Sequence, residues 1–344
     1  MTQAAISPKV LILSMFSREA NVWFDIPEFD LRARKLPIPG LSPHAPALYS
    51  TSDGSICQLT IGEGMVNAAI TLTAVAFSRL IDLRKTYVLV AGVAGVNPHF
   101  ASLGSVTFAR FAVHGGLQYE IDAREVPSGW ETGLFAQGTS EPGRFPTTLY
   151  GTEVFEVNDA LRHLALKAAS SIQLTDTKDC EELRTKYPFP AAQSPPSVLL
   201  GDTVSSDTFW SGTLLARAME KTMQTITHGQ GEYCTSQQED NAILGALHRA
   251  ALSGRADFAR IIIMRSGSNF DRQFEGQNAL DTLRGPTPGF LPALKNLYVA
   301  GVKVVEMISE GWVDTFERGV EPGNLIGDVY RETKRSRSEE ENKS

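Results

Sequence analysis

The chain has 344 residues and a mass of 37.4 kDa, with 42% hydrophobic and 21% charged residues and a mean hydropathy of -0.12. That is apolar material for one large core or two average domains, and it excludes a stapled mini-protein and global disorder. Acidic residues outnumber basic ones 39 to 32, so the net charge of -7 argues against a broad nucleic-acid-binding face and leaves a small nucleotide-like ligand open.

In chain order, the run Val10 to Met15 is too short and too late for a signal peptide and reads as a buried strand. Residues 39–46 are rich in Pro and Gly and read as loop. Ile56 to Ile61 reads as a strand, Gly62-Glu63-Gly64 as a tight turn, and Asn67 to Ile81 as a helix. Tyr87 to Ala91 is the strongest strand, running into a glycine turn, Gly92 to Asn97, where backbone can approach a ligand closely. Ser105 to Val113 reads as one further strand.

Residues 115–152 are dense in Gly, Pro, Trp and Phe and read as ordered irregular loop, the kind of long connection that usually carries function. Asn158 to Ser171 is an amphipathic helix, residues 187–197 a proline-rich surface excursion, and Val198 to Leu200 a short strand. Gly212 to Met223 and Asp240 to Ser253 read as helices, Ala259 to Met264 as a buried strand followed by a polar loop at Ser268 to Asp271, and Asn296 to Gly311 as a helix. The tail Arg331 to Ser344 is charged and nearly free of apolar residues, so disorder is expected there. Residues 1–330 then hold all of these elements, in one large domain or two, with loop insertions near 115–152 and 187–197.

Strands alternating with helices predict an α/β fold with a mainly parallel sheet and a ligand site beyond the strand carboxyl ends. No window reaches the roughly 18 consecutive apolar residues of a membrane span; the best stretch, 65–80, is broken by Asn67 and Ser78. The three cysteines, Cys57, Cys180 and Cys234, have no CxxC spacing and fit a reducing, cytoplasmic setting. The six histidines show no ligand spacing, so no metal is expected.

Several motifs in sequence carry a resemblance. GEGMVNAA (62–69), AGVAG (91–95), LGSV (103–106), VSSDTF (204–209), QQED (237–240) and MRSGSN (264–269) resemble, in order, the motifs of the nucleoside phosphorylase superfamily, especially its 5′-methylthioadenosine nucleosidases. Over nearly the whole length the chain is still more similar to the fungal purine nucleoside permease family, through QYEIDAREVPSGW (118–130), YGTEVFEVN (150–158), YCTSQQEDNA (233–242) and LYVAGVKVVEMISEGW (297–312). The first resemblance implies a single domain over 1–330, a three-layer αβα sandwich with a mixed twisted sheet, and a soluble enzyme that cleaves the N-glycosidic bond of a purine nucleoside. The second family's name implies nucleoside uptake, or binding with little turnover. The absence of a membrane span favours the enzyme.

Carried over residue by residue, the resemblance places Phe209 on the purine face and Gln238 and Glu239 at the ribose. Glu239 offers only acceptors, whose bonds strengthen as the sugar becomes cationic. Gly92, Val93 and Gly95 supply room and backbone donors, and Glu19 falls where the hydrolases orient water, a position that Asn21 matches equally well. Asn269 stands where those nucleosidases carry an aspartic acid that protonates the purine. An amide cannot be a general acid, so either a 6-oxopurine is preferred or Asp271 takes the acid role. Where hexameric phosphorylases grip phosphate with an arginine and a serine, this chain has Val90 and Val93, which favours water over phosphate, with Arg18 and Arg265 remaining as anion partners. The scheme needs no metal or organic cofactor, and inorganic phosphate enters only if the reaction is phosphorolytic. The superfamily's habit of completing its pocket from a neighbour implies a homo-oligomer, with 114–124 the segment to watch.

Overall fold

The structure is a computed structural model and describes residues 5–330; the tail Arg331 to Ser344 lies outside the described residues. Its centre is a mixed sheet in which β1 (Val10–Ser14) runs parallel to β2 (Ile56–Thr60) on one side and to β3 (Tyr87–Val96) on the other. On its far side β3 pairs in parallel with β8 (Ile261–Phe270), which also pairs antiparallel with β4 (Val106–Ala109). The last residues of β3 turn to pair antiparallel with β7 (Tyr233–Gln237), and the sheet continues through β6 (Asp202–Ser205) to β5 (Phe111–His114).

Alternation along the central strands explains the three layers. Side chains of a strand point to opposite faces in turn, and a parallel strand covered on both faces is apolar throughout. Leu11, Leu13, Val88, Val90, Ile261 and Ile263 pack on one face against Leu72 and Val75 of helix α2 (Met65–Ala76) and Leu244 and Leu247 of α5 (Asp240–Leu252). Val10, Ile12, Leu89, Ala91, Ile262 and Met264 pack on the other, against Leu161 of α3 (Asp159–Ala169) and Leu297 and Val304 of α6 (Phe290–Glu310). The αβα arrangement and the mixed sheet are those the resemblance implies; alternation alone predicts a mainly parallel sheet, and the antiparallel pairings of β4 and β7 go beyond it.

Several local expectations are corrected. Gly92 to Val96 is strand, not turn, because β8 pairs with it residue by residue, Arg265 opposite Gly92 and Asn269 opposite Gly95, and the ladder overrides glycine's breaking tendency. For the same reason β8 runs on to Phe270, so Ser268 to Phe270 are not loop; a register shift between Gly267 and Asn269 bends the strand there. The expected strand 105–113 is two, β4 and β5. Between them the Asp202 carboxylate accepts the backbone N–H of Arg110 and of Phe111, both at 2.8 Å, in place of ladder bonds. Helix α2 begins after Gly64 and ends at Ala76, short of Ile81, and α6 begins at Phe290 rather than Asn296, extending its apolar face through Ala293 and Leu294. The segment 115–152 holds a small antiparallel pair, Gln118–Glu120 with Leu134–Ala136, and 187–197 holds the short helix Pro190–Gln193.

Candidate functional site

A cavity of about 290 Å³ opens where the ends of β1, β3, β6, β7 and β8 come together. It gathers Glu19, Val93, Gly95, Phe209, Gln238, Glu239, Asn269 and Asp271, eight of the nine site residues expected from sequence. Gly92 lies just beneath. A larger cavity of about 390 Å³, between the 117–150 segment and helix α4 (Thr213–Ile226), contains none of them.

Glu19 sits on the one-turn helix α1 (Ser17–Asn21) that follows β1, and its side chain folds back into the protein, 1% exposed. One carboxyl oxygen accepts the N–H of Met15 at 2.7 Å and the other the N–H of Val93 at 2.7 Å, which ties the first strand's exit to the bend of β3. Burial pushes its pKa up to about 8, against the opposing pull of Arg265 and the two N–H donors. Gly92 is what makes this position possible: a Cβ there would overlap the side chains of Arg265, Met15 and Glu19. The absence of a side chain there gives these charged groups their clearance.

Glu239 stands at the N-cap position of α5 and is 4% exposed. It accepts the N–H of Gly64 at 3.0 Å and that of Gln238 at 3.3 Å, and Nη2 of Arg265 lies 3.5 Å away. Gly64 holds φ at +84°, a left-handed conformation that favours glycine, so the GEG turn serves to aim this N–H at the carboxylate. Burial raises the Glu239 pKa, with Arg265 opposing. Gln238 donates its amide to the carbonyl of Asp207 at 2.8 Å, and Asp207 accepts the N–H of Met65 at 2.8 Å, so the loop after β6 is fastened to the start of α2. That loop presents Phe209, whose ring is 63% exposed at the cavity mouth and thus open for stacking.

Asn269, half-buried, borders the cavity beside Gly95; its carbonyl accepts from the Ser268 hydroxyl at 2.8 Å and its amide donates to the carbonyl of Phe270 at 3.3 Å. Asp271 reaches the same wall, but its oxygens are occupied: Arg272 donates to both, at 2.8 and 3.0 Å, and the Tyr233 hydroxyl to one at 2.8 Å. Burial raises the Asp271 pKa, while Arg272 and Tyr233 hold the carboxylate back. Val90 is buried in the core, away from the cavity; Val93 lines it, its N–H bonded to Glu19 and its carbonyl 3.3 Å from Nη1 of Arg265. Arg18 lies over the Phe290 ring, 4.4 Å from its centroid, and Phe290 stacks on Phe16 with centroids 6.3 Å apart.

Among the described residues lining the cavity, Arg265 is the one cation, against Glu19, Glu63, Glu239 and Asp271. Such a space suits a developing positive charge better than an anion. Sequence reasoning missed Phe16, Trp210, Gln237 and Phe290, all on its walls, and Asp240, which pairs with Arg265 from behind. Gln237 accepts the N–H groups of Glu239 and Asp240 at 2.7 and 2.9 Å, so it caps the helix that carries Glu239; its place in the QQED run was the available signal. Among the described residues there is no group of three or more His, Cys, Asp or Glu side chains placed to hold a metal ion.

A family model described as purine nucleoside permease matches residues 7–321. The chain belongs to the purine nucleoside permease family. Within that family it is 37% identical to a purine nucleoside permease of Candida albicans over 334 residues, 95% of this chain and 82% of the relative. It is 38% identical to a probable purine nucleoside permease of Schizosaccharomyces pombe over 320 residues, 90% of this chain and 91% of the relative. Among solved structures, a 5′-methylthioadenosine/S-adenosylhomocysteine nucleosidase from Neisseria meningitidis aligns with a TM-score of 0.52 at 16% identity, covering 89% of this chain and 99% of the other. The futalosine hydrolase of Helicobacter pylori aligns with a TM-score of 0.53 at 13% identity, covering 88% and 97%. These neighbours share the fold, so this member of the permease family has the nucleoside phosphorylase/hydrolase architecture. Among its described residues no helix is long and apolar enough to cross a membrane.

Proposed function

We propose that the chain cleaves the N-glycosidic bond of a purine nucleoside, with water as the attacking group. The observation that supports this best is the convergence of two buried carboxylates, Glu19 and Glu239, on a cavity with an exposed aromatic ring at its mouth and, among the described residues lining it, one cation that is already paired. In this reading the base stacks on Phe209 and meets the Asn269 amide, which suits a 6-oxopurine because it can both donate and accept. The ribose hydroxyls donate to Glu239. As the bond from C1′ to the base breaks, its electron pair leaves with the purine, which departs as an anion held by the Asn269 amide and takes its proton from solvent, and the sugar gains oxocarbenium character, which Glu239 stabilises. The water oxygen bonds to C1′ while Glu19 accepts a water proton; a carboxyl held near pH 8 is poised for that transfer near neutrality. Asp271 accepts two bonds from the Arg272 guanidinium and one from Tyr233, against a single N–H on each oxygen of Glu19, and acts as a support for the base-binding wall rather than as the acid.

A second reading is purine nucleoside binding in the service of uptake, with little turnover. It is favoured by the name of the family and by Asn269, which offers the departing base no dissociable proton. Incubation of the pure protein with inosine, guanosine, adenosine and uridine separates the two. Free base from the purine nucleosides and not from uridine supports cleavage, whereas saturable binding without free base supports the second reading.

A further inference from the structure

Asp240, which lies behind Arg265 and away from the cavity, has no role in the scheme above. Asp240 is fully buried at the first turn of α5, its own N–H held by Gln237 at 2.9 Å. It accepts two hydrogen bonds from Arg265, one from Nη2 at 2.5 Å and one from Nε at 3.2 Å. The rest of the guanidinium is spent as well: Nη1 points to the Val93 carbonyl at 3.3 Å and the Met15 sulfur at 3.5 Å, and Nη2 lies 3.5 Å from Glu239 and from Gln237. An arginine fork is the group best shaped to grip a phosphate, and here it is the one cation among the described residues lining the cavity.

A buried ion pair is weak evidence for a purely stabilising role, since an apolar pair of similar volume is often as stable. We propose that Asp240 determines the attacking group: by holding Arg265 in a two-point ion pair it denies inorganic phosphate a seat in the cavity and leaves the space beside Glu19 to water. Asp240 touches no substrate; it is a positioning residue that acts through Arg265. The inference rests on the cleavage reading for its consequence in turnover, but its binding consequence stands apart from that reading.

The test is calorimetric titration of inorganic phosphate into the full chain, with base release from inosine measured in parallel with and without phosphate. Wild type should show no saturable phosphate binding and unchanged base release. Asp240→Asn leaves the guanidinium charge uncompensated, so phosphate should bind saturably, at a concentration at least about tenfold below the highest at which wild type shows none, and compete with inosine. Asp240→Ser, which suits a helix start, gives the same comparison if the amide variant does not fold. Adding Arg265→Gln to Asp240→Asn should abolish the acquired binding, which a merely structural role for Asp240 would not predict. Saturable binding by wild type overturns the proposal whatever the variants do, and so does a folded Asp240 variant that binds no phosphate. If wild type releases no base from any nucleoside, the cleavage reading fails while the phosphate titrations still decide what Asp240 does.

Discussion

Replacing Glu19 with glutamine should change how stability and activity depend on pH, in a direction fixed by burial. The carboxyl is pushed from an ordinary value of 4.5 to about 8. The unfolded chain releases this proton near pH 4.5 and the folded chain holds it to about 8, so the folded state binds more protons between those values and stability falls as pH rises through that window. Between pH 6 and pH 9 this one group should remove roughly 2–3 kcal/mol of wild-type stability. Glutamine does not titrate. Because Glu19 accepts the N–H of both Met15 and Val93, and a glutamine side chain has only one oxygen, the variant also loses one buried hydrogen bond, about 1–3 kcal/mol at every pH. Urea unfolding at pH 6 and pH 9 should therefore find the variant the less stable at pH 6 and its deficit largely gone or reversed at pH 9. In activity, wild-type kcat/KM should rise with pH toward about 8 as the base ionises, and the variant should fall by about 10²–10⁴. Parallel stability profiles of the two proteins would refute the claim that Glu19 is held protonated by its burial.

Three further substitutions probe the walls of the cavity. Phe209→Ala should raise KM for a purine nucleoside about tenfold through lost stacking, with kcat and melting temperature nearly unchanged because the ring is 63% exposed; steady-state kinetics with a thermal melt checks both. Asn269→Asp should raise the rate on adenosine relative to inosine by about tenfold, and an unchanged ratio in paired assays would sink the 6-oxopurine preference. Gly92→Ala should destabilise the fold by about 1–3 kcal/mol in urea, since the new methyl meets Arg265, Met15 and Glu19, and should depress activity further by displacing Glu19.

How far the sequence discloses the site depends on where each residue's partners lie. Apolar runs such as VLILS and YVLVA announce buried parallel strands because both faces must be covered, and ordered motifs then place Glu19, Phe209, Glu239 and Asn269 around one cavity. The glycines of AGVAG mislead, since their sequence reads as a turn. Only the pairing with β8 and the bulk of Arg265 explain why strand continues there without side chains. Asp271 looks free in sequence, two residues from Asn269, yet Tyr233 and the adjacent Arg272 occupy it in three dimensions. Asp240 is hidden for the same reason: its significance lies in Arg265, which is distant in the chain and adjacent in space.

The most direct test of the account is base release from inosine in phosphate-free buffer, with the sugar product identified and the measurement repeated in phosphate. Hydrolysis predicts hypoxanthine and free ribose at a rate that phosphate does not raise. Strict dependence on phosphate, with ribose 1-phosphate as the product, would contradict it.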